Sequence, residues 1–185
     1  MQDLQALYQS KRGTPDELAQ FVKSGDVCAS DIALSNSAEI YEAIGRRIQA
    51  GDLHNVTQHT MLDTAPYPFY RPEFAEEYHG VSWFSQGPAR SAVGAGRADV
   101  MPAFYRNFPR IFREGVKADV FIGVVSPMDR HGYFSTGCSG SVSEAILSGA
   151  KTILLEVNPQ MPRALTAPQI HISQVTALWE HAAPL

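Results

Sequence analysis

The sequence predicts an α/β domain built on a mainly parallel, open sheet with helices on both faces. Helical and strand-like segments alternate along the whole chain, which is the pattern of layered α/β domains. The clearest unit spans residues 118–157, where apolar strand-like segments at 118–125 and 152–157 flank a helical segment at 142–148. A strand, a helical crossover and a second strand place the two strands parallel in one sheet. With 185 residues, the chain can bury the core of one good-sized domain.

The first part of the chain predicts an ordered series of helices and strands. Thr14, Pro15 and Glu17 form a helix start, with a capping hydroxyl, a proline at the first helical position and a glutamate three residues after the cap. This helix is expected to run to Val22. The next elements are a strand at residues 27–33, a helix at residues 38–50 with cap candidates at residues 35–37 and an end at Gly51, and a strand at residues 55–62.

Residues 63–79 predict an ordered loop. Three prolines and three aromatic residues lie between Ala65 and Pro72, so we expect this loop to line a site or to pack on a neighbouring element. The elements expected after it are a strand at residues 81–84, a helix at residues 88–95, a strand within residues 98–104 interrupted by Pro102, a helix from Asn107 to near Gly115, and short strands at residues 170–172 and 174–178.

Composition and charge exclude several classes of function. The net charge of −4 gives no general attraction to nucleic acid or to acidic membranes. The first dozen residues lack the apolar core of a signal peptide, and no apolar run is long enough to span a bilayer. Cys28 and Cys138 fit neither a disulfide framework nor a metal spacing, and the histidines show no metal-ligand spacing. We therefore expect a cytoplasmic protein without a metal site.

The Gly- and Ser-rich segment at residues 126–143 is the first candidate for a ligand-binding loop. It follows a buried strand, and open α/β sheets bind ligands at the carboxyl ends of their strands. Ser141 and Glu144 have the spacing of a capping box, so the helix that follows would present its amino terminus to an anion. A tight turn that uses Gly and Ser for backbone reasons is an equally good interpretation.

Three titratable residues near this loop have both a chemical and a structural interpretation. Asp129 and His131 resemble part of a triad, but the sequence lacks a nucleophile elbow, and hydrogen bonds that tie the loop together are the favoured interpretation. Glu156 ends a buried strand, where burial of a carboxylate is costly unless it is paired with another group or takes part in a reaction. It is either a nucleophile or base, or a partner for a neighbouring backbone group or arginine.

A basic stripe is predicted on the helix that begins near Asn107. Its residues recur at intervals of three or four, so they share one helix face: Arg106, Arg110, Arg113 and Lys117. This face would either meet the phosphates of a nucleotide-bearing ligand or form a solvated surface, and the solvated surface is favoured.

The chain resembles the N-terminal half of the acetyl-CoA hydrolase/transferase family, which includes 4-hydroxybutyrate, butyrate and acetate CoA-transferases. The resemblance rests on motifs that extend almost from end to end and that are specific in combination. They lie at residues 23–26, 96–99 with Pro102, 111–115, Ser126-Pro127 with Asp129, 131–133, 156–163, 170–173 and 184–185.

The resemblance implies that residues 1–185 are a single N-terminal CoA-transferase-type domain and that the C-terminal catalytic half is absent. Family enzymes are about twice this length, with the active site between two similar halves. A glutamate of the second half attacks the acyl-CoA thioester, in covalent ping-pong catalysis. The implied partners are that second half, on the same parent chain or on a separate subunit, acyl-CoA and a short carboxylic acid. Coenzyme A is a substrate, no cofactor is expected to bind tightly, and a homo-oligomer is left open.

The resemblance also implies which residues face the acyl-CoA cleft, and it places no catalytic residue in this chain. The expected cleft residues are Ser126, Pro127, His131, Gly132, Tyr133, Gly137, Ser139, Asn158, Met161, Pro162 and Arg163. The chain departs from the family at residues 29–36, where the family usually has Gly and Pro. Side chains there narrow how closely a ligand can approach the backbone.

Two other functions remain open from the sequence. The first is a non-catalytic module that binds CoA or a phosphorylated ligand, or that caps a partner enzyme. The second, less favoured, is a sugar-phosphate isomerase of the same broad fold group, because fold likeness alone does not establish function.

Overall fold

A seven-stranded sheet forms the centre of the computed structural model, which describes residues 3–185. Its strands, all paired in parallel, are β1 (Val27–Ile32), β2 (Val56–Met61), β3 (Tyr78–Ser82), β4 (Ala98–Val100), β5 (Val120–Val125), β7 (Thr152–Val157) and β9 (Ala177–Glu180). Two short strands, β6 (Tyr133–Ser135) and β8 (Gln169–His171), pair antiparallel beside it.

Six α-helices accompany the strands in this part of the chain. They are α1 (Leu4–Lys11), α2 (Pro15–Ala19), α3 (Ala38–Ala50), α4 (Gly87–Gly94), α5 (Phe108–Ile111) and α6 (Ser143–Leu147). A π-helical turn, Phe112–Val116, continues α5. Within residues 3–185, no helix is both long enough and apolar enough to cross a membrane.

The strand order creates one crevice at the carboxyl edge of the sheet. The order is β4-β3-β2-β1-β5-β7-β9, so the chain builds outward from β1 in one direction and from β5 in the other. The loops that leave β1 and β5 therefore part in opposite directions. In open α/β sheets, this switch point is where ligands bind.

Each face of the sheet packs on its own set of helices. Along β5, Val120 and Ile122 belong to a core shared with α2, α3 and α4, whereas Phe121 and Val125 belong to a core shared with α1, α5 and α6. The division follows from the two-residue period of a strand, in which successive side chains point to opposite faces. The predicted fold class, a parallel α/β sheet covered on both faces, is confirmed.

Local sequence signals identified several elements well. The Thr14 hydroxyl accepts a hydrogen bond from the Glu17 N–H (3.3 Å), and the Glu17 carboxylate accepts one from the Thr14 N–H (2.8 Å), which confirms the capping box. The predicted helix at residues 38–50 is α3, and Gly51 ends it in the left-handed conformation at φ 76°. The Ser37 side chain, however, makes no capping hydrogen bond.

Other elements differ from the prediction. Helix α1 was not predicted, although it begins with a local signal: the Asp3 carboxylate accepts from the backbone N–H groups of Gln5 (3.0 Å) and Ala6 (3.2 Å). At its other end, the Lys11 ammonium group donates to the backbone carbonyl of Ile172 (2.9 Å). Strand β6 was also not predicted, because its three residues are extended only through pairing with β8. The strand expected at residues 81–84 begins earlier, and the one expected at residues 174–178 begins later.

The aromatic loop after β2 packs on the core. It forms two short 3₁₀ turns, Pro68–Tyr70 and Pro72–Phe74. Phe69, Tyr70 and Phe74 are buried in the core that contains α3. Packing on a neighbouring element, one of the two alternatives that the sequence left open, is thus confirmed. The same loop also contributes Tyr67 to the lining of a pocket.

The packing of this loop on β3 requires glycine at position 80. A Cβ atom there would lie 2.7 Å from Cε1 of Tyr70 and 2.9 Å from the carbonyl oxygen of Phe69. We therefore expect Gly80→Ala to lower the free energy of unfolding by about 1–3 kcal/mol, measured as a shift of the denaturant midpoint at constant slope. Gly87→Ala is the control, since a Cβ at Gly87 meets nothing within 4 Å. Equal stability of the two variants would contradict this account of the loop.

Candidate functional site

The crevice at the switch point contains a pocket of about 200 Å³. Its polar walls come from the ends of separate elements: Asn36 after β1, Tyr67 after β2, Glu156 at the end of β7, Asn158 directly after it, and His181 after β9. The polar groups thus converge because parallel strands end at the same edge of the sheet. The pocket is therefore the principal candidate site.

Glu156 is the buried charged group of this pocket. Its side chain points to the α3 face and is 8% exposed. The Ser37 hydroxyl donates to Oε2 at 2.5 Å, and Nδ1 of His181 lies 3.1 Å from Oε1. The carboxylate is therefore paired, as one interpretation of the sequence required, but its partners are a hydroxyl and an imidazole from distant segments.

A buried hydrogen-bond chain fixes the amide of Asn36 in the pocket wall. Its Nδ2 donates to the carbonyl of Ala33 (2.9 Å), and its Oδ1 accepts from the Tyr41 hydroxyl at 3.0 Å. The Tyr41 oxygen also lies 2.6 Å from Oγ of Ser30 within the core. Tyr67 lines the same pocket, where burial raises the pKa of its phenol, so it presents a neutral hydroxyl group.

The amino terminus of α6 holds an anion that the protein itself supplies. The carboxylate of Asp31, at the end of β1, accepts hydrogen bonds from the backbone N–H groups of Val142 (2.8 Å) and Ser143 (2.7 Å). It also accepts from the hydroxyl groups of Ser141 and Ser143. Asp31 is fully buried.

The predicted capping box between Ser141 and Glu144 is therefore wrong. The Ser141 hydroxyl donates to Asp31, and the Glu144 carboxylate lies on the surface, 3.8 Å from Arg113. A local pattern could not reveal this, because the capping carboxylate comes from a residue more than a hundred positions away. A second anion at this helix terminus would meet the negative charge of Asp31.

The loop after β5 is tied together by Asp129 and Arg163. Oδ1 of Asp129 accepts from the backbone N–H groups of His131 (2.8 Å) and Tyr133 (2.9 Å), which confirms the structural interpretation of Asp129 and His131. Nη2 of Arg163 donates to the carbonyls of Pro127 (3.1 Å) and Tyr133 (2.6 Å). Partial burial acts to raise the pKa of Asp129, but these N–H donors and Arg163 hold it below its usual value.

The residues expected in the cleft lie on two connected segments, and one of them lines the pocket. Asn158 does so; its Nδ2 donates to the carbonyl of Ala183 at 3.0 Å. Pro127 lines a neighbouring cavity that shares His181 with the pocket. The others hold or flank the loops after β5 and β7: Ser126, His131, Gly132, Tyr133, Gly137, Ser139, Met161, Pro162 and Arg163. Their assignment to an acyl-CoA cleft stays a prediction.

Gly137 allows the loop after β5 to pack closely on the loop after β7. Its φ of 59° lies in the left-handed region, and a Cβ there would lie 2.7 Å from both Cγ of Met161 and the carbonyl oxygen of Pro162. A side chain at this position would therefore separate the loop after β5 from the loop after β7.

The predicted basic stripe is not a single free face. Arg106 lies before α5 and its guanidinium group is 5.2 Å from the centre of the Phe104 ring. Arg110 and Arg113 lie within 4.0 Å of the carboxylates of Glu114 and Glu144, respectively. Lys117 ends the π-helical turn at φ 50°. These contacts fit the solvated-surface interpretation.

Sequence reasoning missed His181 and the role of Ser37. No local motif marks either residue, and both are recognised only when β7, β9 and α3 meet. Across the described range, residues 3–185, no group of three or more His, Cys, Asp or Glu side chains is arranged to hold a metal ion.

Comparison with known proteins assigns the chain to a family. The profile of the acetyl-CoA hydrolase/transferase N-terminal domain matches residues 1–183. The chain belongs to this family. It is 33% identical over 180 residues to a succinyl-CoA:cyclohexane-1-carboxylate CoA transferase from Geobacter metallireducens, in a match that covers 96% of this chain and 40% of the relative.

Solved structures of relatives have the same fold. The crystal structure of RipA from Yersinia pestis matches all of this chain and 45% of its own with a TM-score of 0.93 and 29% identity. A 4-hydroxybutyrate CoA-transferase from Porphyromonas gingivalis has a TM-score of 0.73 and 25% identity, over 98% of this chain and 42% of that one. The chain thus spans less than half the length of these relatives, as an N-terminal domain does.

The buried Asp31 carboxylate makes a prediction for stability. Asp31→Asn places an amide NH₂ group against hydrogen-bond donors and removes the charge at the amino terminus of α6. We expect the free energy of unfolding to fall by about 2–4 kcal/mol, measured by chemical denaturation. Asp129→Asn is the control: that side chain also accepts two backbone N–H groups but is 30% exposed, so we expect a loss of about 1 kcal/mol. An unchanged Asp31→Asn protein would contradict the role assigned to this carboxylate.

Proposed function

We propose that this domain forms one wall of the acyl-CoA cleft of an acyl-CoA:carboxylate CoA-transferase or acyl-CoA hydrolase. The observation that carries the proposal is the pocket at the switch point, built from the ends of β1, β5 and β7 in a chain of this family. Relatives that the chain matches transfer coenzyme A between carboxylic acids, as their names state.

The residues that line the pocket indicate which part of the substrate binds there. Two carboxylates, Glu39 and Glu156, lie in its walls together with the side-chain amides of Asn36 and Asn158. A free carboxylate or phosphate is disfavoured beside two negative charges. Each amide oxygen and each NH₂ group has one partner within the protein and can make a second hydrogen bond, so the amides can pair with a neutral group of the ligand. The pocket therefore suits the neutral, amide-bearing part of an acyl-CoA, and the charged ends of the substrates would lie outside it.

The nucleophile of the reaction is proposed to come from a second half, on the same parent chain or on a separate subunit. Glu156 does not fit the role, because it is buried and both its oxygen atoms are engaged, by Ser37 and His181. A glutamate of the second half would attack the thioester and release the thiolate, and the thiolate and the acceptor carboxylate would complete the ping-pong cycle. The residues of this domain bind and orient the substrate.

A second candidate is a non-catalytic module that binds CoA or caps a partner. The end of β1 favours it, because the Asp31 carboxylate fills the helix terminus at the edge of the crevice. Tight CoA binding by this chain, measured by calorimetry, without catalysis in the presence of a second half would favour this candidate.

The transferase proposal is tested by complementation. The 185-residue chain is assayed alone and mixed with the C-terminal part of the Geobacter metallireducens relative, with succinyl-CoA and a carboxylic acid acceptor. We expect turnover only in the mixture, and borohydride treatment should trap a glutamyl-CoA thioester on the added part. The N-terminal part of the relative, mixed in the same way, is the positive control. Turnover by the chain alone, or none in a mixture whose positive control is active, would contradict the proposal.

A further inference from the structure

His181 and Glu156 form an oriented pair at the mouth of the pocket. Nδ1 of His181 lies 3.1 Å from Oε1 of Glu156, and the Ser37 hydroxyl holds Oε2 from the other side. The imidazole ring also stacks on Trp179, with ring centres 4.4 Å apart and planes inclined by 24°. The backbone N–H of His181 donates to the carbonyl of Val157 at 3.0 Å. The ring is therefore held from several directions.

This arrangement determines which imidazole nitrogen can react. A carboxylate accepts hydrogen bonds, so Glu156 favours the tautomer of neutral His181 that carries its proton on Nδ1. Nε2 then bears a lone pair, and among the hydrogen bonds of residues 3–185 none uses this atom. The His181 side chain is 35% exposed and lines both the pocket and the neighbouring cavity, so water reaches it.

A proton acceptor of this kind assists hydrolysis of a thioester but is not needed for the transfer of CoA between carboxylates. In the transfer of CoA between carboxylates, the nucleophiles are ionised carboxylates and the leaving group is a thiolate, so no proton needs to be removed. In hydrolysis the nucleophile is water, which a general base makes more reactive. An imidazole oriented by a buried carboxylate is a well-known form of such a base.

We propose that His181 is the general base for water in acyl-CoA hydrolysis and that Glu156 is its positioning residue. The proposal rests on the function proposed above and specifies its hydrolytic branch. In this branch water takes the place of the acceptor carboxylate: its oxygen forms a bond to the carbonyl carbon of the glutamyl-CoA thioester while one of its protons moves to Nε2 of His181. The C–S bond then breaks, and the thiolate takes the proton back from Nε2, which leaves the carboxylic acid of the glutamate and free CoA thiol.

The charges around the imidazole support this role. Glu156 faces Nδ1 from β7 and stabilises the imidazolium ion that forms when Nε2 accepts a proton. Glu39 and the neutral Tyr67 line the same pocket, and Glu180 and Arg12, which pair with each other at 2.9 Å, line the neighbouring cavity.

The test compares hydrolysis with transfer in the complemented enzyme. We expect His181→Gln to slow the hydrolysis of acyl-CoA by about 10²-fold or more and to lower the ratio of hydrolysis to transfer to a carboxylate acceptor by about the same factor. Glu156→Gln should also slow hydrolysis and alter its pH profile. The matched controls are His54→Gln and Glu77→Gln, a second histidine–glutamate pair (3.4 Å) far from the pocket; both should leave hydrolysis unchanged.

A second measurement on the 185-residue chain does not depend on turnover. Nitrogen-15 NMR of the histidine side chains should show a proton on Nδ1 of His181 and a free Nε2, and Glu156→Gln should change this tautomer balance. A proton on Nε2 in the unsubstituted chain, or full hydrolysis by His181→Gln, would overturn the proposal. Absence of any thioester turnover in the mixture would instead overturn the proposed function together with its hydrolytic branch, whatever the tautomer.

Discussion

The arrangement of the site depends on one buried carboxylate, that of Asp31. It joins the end of β1 to the loop and helix that follow β5 through four hydrogen bonds, two to backbone N–H groups and two to hydroxyl groups. Burial of a charge is costly unless it is fully hydrogen-bonded, and the amino terminus of α6 adds a favourable dipole. Because β1 and β5 are the strands on either side of the switch point, this interaction fixes the loop and helix that follow β5 against the end of β1.

Because side chains alternate along the strands, the buried carboxylates of Asp31 and Glu156 lie on opposite faces of the sheet. Asp31 points to the face covered by α6, where it occupies the helix terminus. Glu156 points to the face covered by α3, where it meets Ser37 and His181 in the pocket. One face of the crevice is therefore closed by the protein's own anion, and the other keeps polar groups available to a ligand.

The sequence predicted what local signals encode. The capping box at Thr14, the glycine that ends α3 and the apolar strands β5 and β7 all follow from patterns within a few residues. Helix α1 was missed although Asp3 caps it locally, whereas strand β6 escaped prediction because it is extended only through pairing with the distant strand β8.

The site was less predictable for the same reason. Asp31 and His181 belong to no motif, and their partners are brought to them by the parallel sheet. The resemblance led to the correct family and to cleft residues in the loops after β5 and β7, an assignment that stays a prediction. In the loop after β5, Asp129 and Arg163 hold the backbone in place. The polar pocket lies beside that loop, on the α3 face.

We propose that ligands bind this domain in the pocket on the α3 face and not at the amino terminus of α6. The test is a titration of the isotopically labelled chain with coenzyme A, followed by backbone amide NMR. We expect the amide resonances of Asn36, Asn158 and His181 to shift, whereas those of Val142 and Ser143, which donate to Asp31, stay in place. Shifts centred on Val142 and Ser143, with the pocket resonances unchanged, would contradict it.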